Sequence, residues 1–102
     1  MLASFSIVPM GKGEQVKDEV AKVLDIVDRS GLNYRAGAME TTVEGSEDEV
    51  MELIMQCHNL MKTLAPRVLT SIKIDDRMAG ENRLTGKLED VEEVLGRKLK
   101  HE

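Results

Sequence analysis

Tryptophan is absent from this chain of 102 residues, and Phe5 and Tyr34 are its only aromatic side chains. Proteins that hold single-stranded nucleic acid stack its bases on aromatic rings, so that function has no platform here. Basic clusters are equally scarce. The net charge is −5, whereas binding to a phosphate backbone needs grouped Lys and Arg. Arg97, Lys98 and Lys100 gather near the tail without an aromatic partner, as cations do where they complement a helix dipole. Cys57 is the single cysteine, which excludes an intramolecular disulfide framework. No apolar run reaches the length of a membrane span. Met1–Pro9 is apolar but lacks a basic flank, and its alternation fits a strand better than a signal peptide. The expectation is a cytoplasmic protein with neither a nucleic-acid nor a membrane partner.

What is present is aliphatic. Hydrophobic residues make up 41% of the chain and include seven Met, so the core must be filled by Val, Leu, Ile and Met. A single domain over residues 1–102 is the natural expectation at this length. A chain this short buries a smaller share of its surface than a larger one, which keeps a homo-oligomer in view.

Hydrophobic period then divides the chain. Leu2–Pro9 alternates, with Ala3, Phe5 and Ile7 on one face, as a strand does. Gln15–Ser30 carries Val16, Val20, Val23, Leu24 and Val27 at helical spacing, and Gly31 suits the left-handed stop. Leu32–Ala38 and Met39–Glu44 follow as two further strands, with Gly37 near a hairpin or bulge. Ser46 and Glu49 form a capping box for a helix over Asp48–Leu64. Its buried stripe runs from Val50 through Leu53, Ile54, Cys57, Leu60 and Met61 to Leu64. Within Pro66–Arg77, Val68, Thr70, Ile72 and Ile74 alternate with Leu69, Ser71, Lys73 and Asp75, the period of a strand with unlike faces. Leu84, Leu88, Val91, Leu95 and Leu99 suggest a closing helix. The order β-α-β-β-α-β predicts an α+β, ferredoxin-like sandwich: a four-stranded antiparallel sheet, two helices on one face, and an extra C-terminal helix. Such a fold hosts many functions and identifies none.

Several chemical readings fall away. Gly11-Lys12-Gly13 lacks the spacing and the Lys-Ser/Thr ending of a phosphate loop and reads as a strand-to-helix turn. Glu47, Asp48 and Glu49 read as first-turn acids that start a helix, with no metal cluster expected. His58 adjoins Cys57, so on a helix it points about 100° away, which argues against a Cys-His catalytic pair. No catalytic residue and no metal ligand are expected.

The landmarks Ser6–Pro9, Gly11, Tyr34, Met39–Gly45, His58, Arg67–Arg77, Lys87 and Val91–Glu92 together resemble the small thiamine-binding, YkoF-like proteins. The likeness spans essentially the whole chain, and its most specific part is Lys73-Ile74-Asp75-Asp76-Arg77. It implies a ferredoxin-like fold assembled as a dimer or tetramer through its sheets. It also implies a non-enzymatic small-molecule-binding role, with thiamine or its hydroxymethylpyrimidine part as ligand and no cofactor otherwise. Glu40 departs from the family pattern, standing where a small residue, often Gly, is usual; lining the pocket, it would shift ligand choice.

Thiamine offers an aminopyrimidine, a cationic thiazolium and a hydroxyethyl arm, and its site needs a carboxylate, hydroxyls and an apolar wall. On that basis Glu44 is the candidate for the amino group or the thiazolium charge. Ser6, Thr41 and Thr70 are candidates for ring nitrogens or the arm, and Met39 for a polarizable surface against the ring. Thr41 and Thr70 also read as ordinary strand residues and Met39 as core. Lys73, Asp75, Asp76 and Arg77 read as a solvated or intersubunit ion-pair network. Two alternatives stand beside binding: an enzyme of small-molecule metabolism, and a structural or regulatory oligomer without ligand.

Overall fold

The computed structural model describes residues 1–11, 16–77, 92, 95 and 96. Six elements run in the order β1 (Leu2–Met10), α1 (Lys17–Arg29), β2 (Asn33–Ala36), β3 (Thr41–Glu44), α2 (Glu47–Leu64) and β4 (Arg67–Asp75). The strands form one antiparallel sheet in the order β2-β3-β1-β4, with β2 and β4 as open edges. This is the expected α+β, ferredoxin-like arrangement. The expected closing helix falls almost wholly outside the described residues.

Both helices lie on one side of the sheet. Ala3, Phe5 and Val43 from the strands pack with Val23 and Val27 of α1 and with Val50, Leu53, Ile54, Cys57 and Met61 of α2 in one buried cluster. Each such aliphatic side chain contributes about 1.5–3 kcal/mol on burial. The stripes that form this cluster follow from spacing alone, every three or four residues on the helices and every second residue on β1 and β3.

The helix ends have local causes. Ser46 Oγ accepts from the Glu49 N–H at 3.2 Å, and the Glu49 carboxylate accepts from the Ser46 N–H at 3.2 Å. That reciprocal box starts α2 and, through these hydrogen bonds, holds the Glu49 carboxyl below its ordinary pKa. At the end of α1, the Ser30 N–H reaches the carbonyls of Ile26 and Val27, and Gly31 takes φ +77°, the left-handed stop that glycine adopts without cost. Gly11 ends β1 at φ +86°, where a Cβ would stand 2.8 Å from Cγ of Pro66. The turn out of β1 therefore rests against the residue that leads into β4.

Three strands differ from expectation. β2 is confined to Asn33–Ala36, within the expected Leu32–Ala38. β3 begins at Thr41, two residues later than the alternation suggested, because the Gly37 N–H donates to the Glu40 carbonyl at 3.0 Å and closes a hairpin around Ala38 and Met39. On β4 the expected apolar face is only half covered. Val68 packs against the core, but Ile72 and Ile74 remain 36% and 51% exposed. The reason is that α2 meets β4 near Thr70, where His58 Nδ1 lies 2.6 Å from Thr70 Oγ1.

Candidate functional site

β1 is paired unequally along its two sides. β4 accompanies it from Leu2 to Met10, whereas β3 accompanies it only from Leu2 to Phe5. The phase of the β1–β3 ladder is set just outside it. Met1 N–H donates to the Gly45 carbonyl at 2.8 Å, and Gly45 N–H returns a bond to the Met1 carbonyl at 3.1 Å. In an antiparallel pair such bonded positions recur every second residue, so Ala3 and Phe5 also bond to β3. The next in phase is Ile7, whose N–H and C=O point past Thr41, where β3 has already ended. Among the described residues no strand continues beside Ile7 on that side, so its N–H and C=O are turned toward a gap between β1 and the Gly37–Glu40 turn.

That gap is a cleft of about 200 Å³. Its floor is the Phe5–Val8 segment of β1, with Thr41 and Met61 beside it. One wall is α1, through Val20, Val23 and Leu24, and the rim is the Gly37–Glu40 turn. The lining is mostly apolar. The polar residues of the lining are Ser6, Thr41 and Glu40.

Glu40 is held in place on the sheet's open face. Ser4 Oγ donates to its carboxylate, and Lys73 Nζ stands 3.4 Å away. Ser4 and Lys73 are directly opposite each other across β1 and β4, so the carboxylate is tied to both strands. The Glu40–Lys73 pair is exposed, with side chains 38% and 82% accessible, and a pair of that kind contributes about 0–1 kcal/mol. Its effect is on position more than on stability.

The sequence-derived candidates separate into two groups. Ser6, Met39 and Thr41 all line the cleft. Thr41 is buried at its inner end, and Met39, 88% exposed, sits on the turn at its mouth. Glu44 lies at the far end of β3, opposite Leu2 and Asn33. Three residues of strand, about 10 Å, separate it from Thr41. Thr70 faces the helices and its hydroxyl is engaged with His58. Two residues of the lining, Ile7 and Glu40, were not among the candidates proposed from sequence. No letter marks a backbone edge left bare by a neighbour that stops early. Glu40 stood out in the sequence by its departure from the family pattern, and it is among the residues that line the cleft.

The remaining reactive side chains are placed elsewhere. Cys57 is fully buried, with its thiol 3.9 Å from the Val23 carbonyl, and burial pushes its pKa up to about 11. A thiol so placed is a poor nucleophile. Among the described residues no three His, Cys, Asp or Glu side chains converge in a way that could hold a metal ion. Among the same residues no helix is long and apolar enough to cross a membrane.

A family model described as thiamine-binding protein matches residues 3–92. The UPF0045 protein MJ1052 of Methanocaldococcus jannaschii is 33% identical over 94 residues, which cover 92% of this chain and 94% of that one. A UPF0045 protein of Mycobacterium bovis is 36% identical over 96 residues, covering 93% and 94% of the two chains. Among solved structures, the crystal structure of MJ1052 superposes with a TM-score of 0.83 at 34% identity, over 90% of this chain and 95% of that one. A candidate thiamine biosynthesis or salvage protein of Thermotoga maritima superposes with a TM-score of 0.77 over 88% of this chain and 96% of that one. At 21% identity, that likeness concerns the fold alone.

Proposed function

Because the chain belongs to the thiamine-binding protein family, we propose that it is a non-enzymatic binding protein whose cleft takes thiamine or its hydroxymethylpyrimidine part. The observation that carries the proposal is the gap beside Ile7. An aminopyrimidine presents a ring nitrogen acceptor next to an amino donor. The N–H and C=O of one strand residue offer the matching donor and acceptor, side by side and pointing the same way. Pairing there would extend the sheet by one aromatic ring, in the manner of a strand added at an edge.

Size supports the same assignment. Pockets for drug-sized ligands usually enclose about 300–1,000 Å³, so a cleft of about 200 Å³ suits the pyrimidine ring better than all of thiamine. The thiazolium would then lie at the mouth, near Met39 and the Glu40 carboxylate. Binding is favoured over turnover because general acid–base catalysis places a titratable group at each proton to be moved, and Glu40 alone among the described lining residues can ionise.

The proposal includes a homo-oligomer, dimer or tetramer, in the cytoplasm. Val8 and Leu69 are paired directly across β1 and β4 on the open face of the sheet. They are 46% and 52% exposed, and burial of both would favour association.

Calorimetric titration with hydroxymethylpyrimidine and with thiamine tests the binding, and amide hydrogen exchange tests its place. Saturation is expected to slow exchange at Ile7 while leaving the α2 amides unchanged. Absence of heat with both ligands would remove the proposal, and protection confined to β4 would move the site.

A further inference from the structure

Among the described residues that line the cleft, Glu40 is the sole ionisable side chain, and the walls around it are chiefly aliphatic. Its carboxylate is anchored by the Ser4 hydroxyl and by Lys73 Nζ, both from the open face. A carboxylate offers about four lone-pair sites, so these two partners leave room for a ligand. Lys73 is 82% exposed, and its charge is largely taken up by water, so it offsets the field of Glu40 at the cleft only weakly.

Resting on the binding role proposed above, we propose that Glu40 sets the charge preference of the cleft. It favours a ligand whose protruding end is cationic and disfavours the same ligand bearing a phosphate ester. Lys73 and Ser4 are positioning residues that fix the carboxylate at the rim. A cationic thiazolium at the mouth meets an opposite charge at short range. A phosphate attached beyond it brings a dianion toward the same carboxylate. At separations of about 6–8 Å and an intermediate effective dielectric, such a difference amounts to roughly tenfold in affinity.

Titration calorimetry with thiamine, thiamine monophosphate and neutral hydroxymethylpyrimidine tests this on the full chain and three variants. The wild type is expected to bind thiamine roughly tenfold more tightly than its monophosphate. Glu40→Gln should bring the two within about threefold, while hydroxymethylpyrimidine changes less than thiamine does. Glu40→Asp, which keeps the charge, should restore most of the preference, and Lys73→Met, which loosens the hold on the carboxylate, should narrow it. Raising salt from about 0.1 to about 1 M shortens the Debye length from about 10 to about 3 Å, and the wild-type preference should shrink accordingly. A preference that survives Glu40→Gln, or that ignores salt, would overturn the role of Glu40 while leaving binding intact. Failure of the wild type to bind any of the three would instead sink the binding role, and this inference with it. Thermal unfolding of each variant near the wild-type midpoint excludes misfolding as the cause.

Discussion

Cys57 makes its surroundings measurable. Its thiol stays neutral because burial disfavours the thiolate, raising its pKa from 9.0 to about 11. The folded state therefore holds this proton more tightly than the unfolded state. The stabilisation is complete below pH 9 and is lost as pH rises through about 11. Two units correspond to about 2–3 kcal/mol. Urea unfolding of the wild type at pH 8 and pH 11 should show that loss in excess of what Cys57→Ala shows. The variant should itself be about 1–2 kcal/mol less stable at pH 8, from the cavity it leaves. An identical alkaline loss in both proteins would mean that the thiol is accessible to water in the native state. Burial of Cys57 was legible in the sequence because it sits in the Val50–Leu64 stripe. The partners of Thr70 and Glu40 were not. Their hydrogen bonds join separate elements: the packing of α2 on β4 brings His58 to Thr70, and the register of β1 and β4 sets Lys73 beside Ser4 where both reach Glu40.

The helices were legible because cap and stripe are local. Ser46 and Glu49 are three residues apart and mark the start of α2 with letters alone, and the structure bears that box out. The strands were legible in number and order but not in extent. Where β3 starts depends on the hairpin bond between Gly37 and Glu40, and the cleft exists because of that start. Three of the five proposed ligand contacts gather there. Glu44, at the far end of β3 and four positions beyond Glu40, was within the family's pattern but is carried away by strand rise. Gly11 tests another junction between elements. Its positive φ and the 2.8 Å approach to Pro66 leave a Cβ neither a relaxed backbone nor a side chain that can swing aside. Gly11→Ala should cost roughly 1–3 kcal/mol. The expected signature is a lowered urea midpoint with an unchanged m-value, and a midpoint within experimental scatter of the wild type would show that the β1 exit adapts.

At the scale of the molecule, both described helices lie on one side of the sheet, and among the described residues no element covers the other. The proposed assembly predicts that Leu69→Lys, at a position 52% exposed, lowers the mass in sedimentation equilibrium without changing the circular dichroism of the fold. Persistence of the wild-type mass would place the contact elsewhere. Fold class was readable at this scale because six elements in that order have few ways to share one core. The face left open carries no comparable code, since Ser4, Ser6, Val8 and Leu69 make a mixed surface that hydropathy alone does not assign.

Of the four described strands, β1, an inner one, is made before the other three. Its β3 neighbour is translated only after α1 and β2, and β4 comes later still. Every ladder bond of β1 is therefore non-local, and contacts of that kind slow folding. During synthesis an apolar nonamer waits with both edges bare, the condition in which nascent chains recruit chaperones or aggregate. Strand placement thus sets the kinetic hazard of this protein as well as its architecture.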